Sequence, residues 1–166
     1  AVSFRDVSEF FHRPPDLYGF SPIREVSEAL TIDFLWSLTL FGETLFNEDL
    51  EPAFSRDGAL AALRFYWAIS RLAPPVERDY HYGHRLALFR RGRLAHAMLW
   101  PAHLPKLAGV SESEVASRLG FAPGPSGGGD ETRNVTGYWT IGIRRGSGRV
   151  DLAAEFAAFW YSRPTG

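Results

Sequence analysis

The sequence predicts an α/β lobe, a small sheet flanked by helices. Three observations carry that prediction: long segments with apolar residues at helical spacing, two short alternating runs at 94–100 and 137–143, and no internal repeat of fixed period. Parallel strands need long crossovers, which the helices around the runs would supply. At 166 residues the chain fits one domain able to bury a core. Hydrophobic residues at 45% and aromatics at 14% describe a globular chain, and a formal net charge of −1 removes the positive field that would draw it to nucleic acid. The absence of cysteine removes disulfides, thiolate metal sites and cysteine nucleophiles together. No apolar run reaches the roughly 20 residues that span a bilayer. The opening AVSFRDVSEF has neither an initiator methionine nor the pattern of a signal peptide, so a trimmed start is expected.

Ser3 followed by FRDVSEFF reads as a capped helix that Pro14 and Pro15 stop. YGFSPI is a brief extended piece. A long helix is expected from about Glu25 to Leu45, with Phe34, Leu35, Leu38, Phe41 and Leu45 at helical spacing and Gly42 near its end, where a C-terminal cap is common. NEDLEPAFS is a polar connector. Ser55 or Asp57 then caps DGALAALRFYWAISRLA, whose apolar face is Ala62, Phe65, Tyr66, Ile69 and Leu72 and which Pro74 and Pro75 end. HYGHRLALFRRGR reads as a helix stopping at Gly92, and LAHAMLW alternates like a strand. HLPKLAG is a short helix or turn, SESEVASRL a serine-capped helix, GFAP an extended piece and APGPSGGGD a loop. VTGYWTIGI is then a strand, RRGSGR a turn, and VDLAAEFAAFWYS a helix carrying Leu152, Phe156 and Phe159 on one face.

Most chemical signatures fail their context tests. GPSGG at 124–128 matches a hydrolase string, but a Gly-Gly-Gly-Asp continuation cannot easily start the helix that a Ser126 nucleophile requires. His81 and His84 share a helical spacing with no third ligand in range, so both read as surface histidines and no metal is expected. The run Arg85, Arg90, Arg91 and Arg93 reads as a solvated helix face, and Glu43, Glu48 and Asp49 as a solvated helix terminus. His96 and His103 flank Trp100 and Pro101, from where they would hydrogen-bond a polar ligand, although His96 within a strand is more often structural. Trp36, Trp67, Trp100, Trp139 and Trp160 are each more often core than ligand platform when taken alone.

Order along the chain changes that weighting. TLFGETLFNED, EPAFSRDGALAALRFYWAIS, FRRGRLAHAMLWP, APGPSGGGDETRNVTGYWTIGI and AAEFAAFWYS occur in the sequence in which similar motifs occur in the extracytoplasmic solute-binding proteins of ABC importers. The resemblance is to the carbohydrate-binding group that includes the maltose-binding proteins, with Tyr138 where that group has a second glycine. It implies a periplasmic-binding-protein type II fold of two lobes with the solute between them. Residues 1–166 resemble mainly the second lobe, and the helix at 150–162 would belong to the other lobe in longer members. The implied function is delivery of a sugar or oligosaccharide to an ABC transporter permease outside the cytoplasm, from the periplasm or as a cell-surface lipoprotein, without catalysis or cofactor. Trp139 is the residue the resemblance turns toward the solute, with Tyr138 beside it and Trp36, Trp100, His103 and Asp33 as further lining.

Two alternatives stay open: a non-sugar solute such as a peptide or polyamine, and a small sugar-active enzyme using paired acids such as Asp33 and Glu43. Phe156, Phe159 and Trp160 would lack their usual neighbours, so a homodimer formed by swapping this helix is expected.

Overall fold

The computed structural model describes residues 3–75, 80–109, 111, 113–125, 134–137 and 139–162. The chain divides into two compact units, Ala1–Val135 and Thr136–Gly166. In the first unit, α1 (Phe4–Phe11) starts at a reciprocal cap: Ser3 Oγ accepts from the Asp6 N–H at 3.1 Å and Asp6 Oδ2 accepts from the Ser3 N–H at 3.0 Å. Those bonds hold the Asp6 carboxyl below its usual range. The helix expected over 25–45 is the shorter α2 (Glu28–Thr39). Its start is trimmed because the N–H groups of Arg24 and Glu25 both go to the Tyr80 carbonyl, and its end because Gly42 turns the chain at φ 77°.

The connector 43–55 is an ordered turn. Asn47 Oδ1 accepts from the N–H groups of Asp49 and Glu51, and Leu50 sits at the tip with φ 63°. Glu43 is no solvated terminus: it accepts from Ser55 N and Oγ at 2.7 and 2.6 Å, directly under the start of α3 (Arg56–Ser70). A Cβ on Gly58 would overlap that carboxylate, which explains the glycine in the first turn of a helix.

α2 packs on α3 through a cluster of Phe20, Trp36, Leu40 and Ile69, with Phe4, Phe65, Met98 and Val135 around it. Next come α4 (Tyr82–Arg90), which ends at Gly92 with φ 64°, a 3-10 turn at Pro101–His103 and the short α5 (Leu104–Ala108). SESEVASRL forms only a 3-10 turn over Ala116–Arg118. Val115 and Leu119 are too few apolar residues to bury a helical face, and Glu114 N–H is already spent on the Arg90 carbonyl.

At the centre lies the stretch Tyr18–Ile23, buried along its whole length. Among the described residues it makes no sheet, so the helices of the expected lobe are present and the small sheet they were to flank is not seen. Tyr18 and Leu94 form a single parallel bridge, with Tyr18 N–H on Arg93 O and Ala95 N–H on Tyr18 O. The ladder stops there because the side chain of Arg85 joins the two segments instead, donating to Ser21 O on one and Met98 O on the other. Side chains supply what a neighbouring strand would have supplied. Gly19 is required in this stretch, since a Cβ would overlap the carbonyl of Ser8 on α1.

In the second unit, the described part of 136–143 has no regular secondary structure and forms no bridge among the described residues. Two-residue alternation describes a strand's faces, and only a neighbour can satisfy its edges. A turn closed by Ser147 N–H on Arg144 O leads to α6 (Val150–Ser162). No described residue of this unit is buried.

Candidate functional site

Asp33 lies on the second turn of α2, only 6% exposed, and is held by Arg85 of α4 and by the N–H of Ile23 at 2.9 Å. Arg85 is fully buried. Its Nη1 also reaches Asp33 Oδ1 at 3.2 Å, while Nε and Nη1 take the carbonyls of Ser21 and Met98 at 2.8 and 3.0 Å. The guanidinium also lies over two aromatic rings, Phe20 at 5.3 Å and Tyr82 at 5.7 Å. Both carboxylate oxygens of Asp33 are thus bonded within the protein, and at 6% exposure Asp33 is a buried structural partner of Arg85 and does not line an open surface. Arg85 in turn is no part of a solvated face. The tyrosines around it, Tyr66, Tyr80 and Tyr82, are pushed up from the ordinary phenol value by burial, and Tyr66 donates to Ile23 O at 2.6 Å.

Trp36 is likewise beneath any surface. At 2% exposure its indole meets Phe4, Phe20 and Phe65 at centroid distances of 5.3, 6.2 and 6.1 Å. It cannot stack on a solute from that position.

Trp100 and His103 fare differently. Trp100 ends the extended run 94–100, is half-buried, and stands edge-on to Tyr82 at 6.3 Å. One turn later His103 N–H bonds the Trp100 carbonyl at 2.9 Å, and the His103 imidazole is pushed down by burial and then by the Lys106 charge. Arg85, Tyr82 and Trp100 therefore form one neighbouring group, which His103 joins through its backbone bond to Trp100. Tyr82 and Arg85 were missed as members. The signal was present in YGHRLALF, where Arg85 occupies the same helical stripe as Tyr82 and Phe89.

In the second unit Trp139 is 96% exposed. Tyr138 lies outside the described residues, as does Ser126.

The remaining histidines serve the fold. His81 Nδ1 accepts from Gly83 N–H at 3.0 Å and His84 Nδ1 from His81 N–H at 3.3 Å, so the pair caps α4. His96 Nε2 sits 2.8 Å from Ser8 Oγ, whose own proton goes to Phe4 O at 2.8 Å; Nε2 must then be the donor. A protonated Nε2 cannot activate Ser8 as a nucleophile. Among the described residues no group of three or more His, Asp or Glu side chains is placed to hold a metal.

No protein-family model matches the chain. Over 135 residues, 81% of its length, it is 20% identical to the probable amino-acid ABC transporter periplasmic-binding protein y4oP of Sinorhizobium fredii, covering 30% of that protein. It superimposes on an ABC transporter solute-binding protein of Agrobacterium radiobacter K84, solved in complex with ribitol, with a TM-score of 0.83 and 22% identity over 96% of this chain and 41% of that one. A solute-binding protein of Agrobacterium vitis S4, solved with bound D-mannitol, gives a TM-score of 0.75 and 24% identity over 94% of this chain and 38% of that one. The chain therefore has the fold of part of an ABC transporter solute-binding protein, the group its motifs resemble. It spans less than half the length of each of these relatives.

Proposed function

We propose that this chain, with the fold of the ABC-transporter solute-binding proteins, is a solute-binding lobe for a sugar or sugar alcohol destined for a membrane permease. The single observation that carries the reading is Trp139, a tryptophan 96% exposed at the position the resemblance turns toward solute. A bare indole offers a flat apolar face on which a ligand can stack, and its N–H can donate to one. A polyhydroxylated solute suits it: C–H faces stack on the ring while hydroxyls bond neighbouring polar groups. Trp100 and His103 are the next solute-facing candidates, with Tyr138 beside Trp139. Asp33 and Trp36 act through support, the first by fixing Arg85 under Tyr82 and the second by filling the core. The ribitol and D-mannitol of the two solved relatives favour a polyol.

An amino acid, which the name of the Sinorhizobium relative suggests, would need a cation and a carboxylate free to pair with its two charges. Asp33 and Arg85, the only buried acid and base among the described residues, are spent on each other. Delivery to a permease places the protein outside the cytoplasm, and no helix of the described residues is long and apolar enough to cross a membrane. The alternative of a sugar-active enzyme loses its acid pair, since Asp33 is buried and both oxygens of Glu43 are held by Ser55.

Calorimetric titration with ribitol, D-mannitol, maltose and a neutral amino acid tests the reading. A two-walled micromolar site is worth about 8 kcal/mol, so one lobe is expected to bind polyols near 1 mM, about 4 kcal/mol. Preference for the amino acid, or turnover of a model glycoside, would sink it.

A further inference from the structure

The side of α3 turned away from the core carries Arg56, Leu60, Leu63, Arg64, Trp67 and Arg71, recurring at three- and four-residue spacing on one stripe. All are exposed, Leu63 at 51% and Trp67 at 65%, and Arg71 covers the Trp67 ring at 5.0 Å. Immediately before the helix, the turn at 46–54 shows the opposite charge. Phe46, Leu50 and Phe54 are exposed at 50%, 79% and 42%, interleaved with Glu48, Asp49 and Glu51, and no basic residue occurs between 41 and 55. The turn is built rather than slack. Asn47 fixes it from inside, and Leu50 is held at φ 63°, a left-handed conformation in which a leucine is unfavourable and a glycine would be at ease. A bulky apolar side chain kept at a strained, exposed tip points to a contact made there.

We infer that these are the two halves of a self-association surface: the acidic, apolar turn of one copy docks on the basic, apolar stripe of α3 of a second copy. The halves adjoin in sequence and lie in the same compact unit, so a twofold axis between two copies brings each turn onto the other's helix and closes the contact. Both contacts pair Leu50 and its flanking phenylalanines with Leu63 and Trp67, ringed by carboxylates against arginines. An anionic membrane would also accept an Arg–Leu–Trp stripe, but the adjoining three acids would be repelled by it.

Sedimentation of the 166-residue chain across concentration and salt tests the inference, with circular dichroism confirming that each variant folds. The expected result is a monomer–dimer equilibrium weakened by salt, and weakened at least tenfold by R64E/R71E or by E48R/D49R/E51R. An equimolar mixture of these two charge-reversed chains should recover association, because each turn then meets an opposite charge again. Leu50→Gly should weaken the dimer while easing the backbone, which separates lost contact from lost fold. A chain that stays monomeric, association untouched by these changes and therefore carried elsewhere, such as by α6, or binding to phosphatidylserine vesicles in place of self-association would each overturn it. None of these outcomes depends on polyol binding.

Discussion

Trp36 and Trp139 are the same residue type in two different units, and their exposures are 2% and 96%. In the unit Ala1–Val135, apolar side chains find each other across the fold and even a charged pair is drawn inside. In the unit Thr136–Gly166, Phe156, Phe159 and Trp160 of α6 remain 56%, 53% and 59% exposed. Amphipathicity creates a face, but burial requires a second surface. The first unit has several such surfaces in α1, α2, α3 and the strap Tyr18–Ile23. Among the described residues the second has one helix and one irregular run. Stability should therefore be concentrated in the first unit and ligand sensitivity should extend to the second.

The largest effects should come from breaking the centre of the first unit. Arg85→Met leaves Asp33 buried and uncompensated, which costs about 3–5 kcal/mol, whereas Arg85→Met with Asp33→Leu should recover much of the loss. Urea unfolding followed by tryptophan fluorescence measures both. A loss below about 1 kcal/mol for Arg85→Met would mean that the pair belongs at a solvated surface after all.

Trp36→Ala should cost about 3–5 kcal/mol in the same assay, against less than about 0.5 kcal/mol for Trp139→Ala. Equal losses would erase the contrast between the units. Gly19→Ala is smaller but still severe, at about 1–3 kcal/mol, because the new methyl group meets the carbonyl of Ser8.

The smallest effect is one of pH. Burial lowers the His96 pKa from its ordinary 6.5, so the unfolded chain takes up a proton more readily than the folded one. Its contribution to stability is fully present above the unfolded value and is lost as pH falls through the folded one. His96→Gln should flatten thermal melting temperature against pH below about 6.5 relative to the parent. An unchanged slope would show that other groups dominate acid sensitivity.

What the sequence disclosed follows the range of each interaction. α1, α3, α4 and α6 were legible from caps and spacing, because Ser3, Ser55 and Gly92 act within a turn of where they stand. The two expected strands are not seen among the described residues. The run 94–100 makes a single bridge at Leu94, and Arg85, which lies outside the run, takes the Met98 carbonyl. Asp33 and Arg85 are 52 positions apart, and a lone acid on one helix announces nothing about a base on another. Counting Arg85 with its basic neighbours hid it, while its place between Tyr82 and Phe89 on an apolar stripe was the usable sign. Among the tryptophans, spacing alone could not separate Trp36 from Trp139, since both fit an apolar pattern and only tertiary partners distinguish them.

The proposal of a polyol-binding surface is tested most directly by watching the indole N–H signals of all five tryptophans by NMR during titration with ribitol and D-mannitol. Trp139 should shift saturably, Trp100 to a lesser degree, and the signals of Trp36 and Trp67 should stay in place. Trp139→Ala should abolish the response and leave the remaining spectrum folded. Saturable shifts confined to Trp36 or Trp67, or no response of Trp139 to either polyol at concentrations well above about 1 mM, would contradict the account.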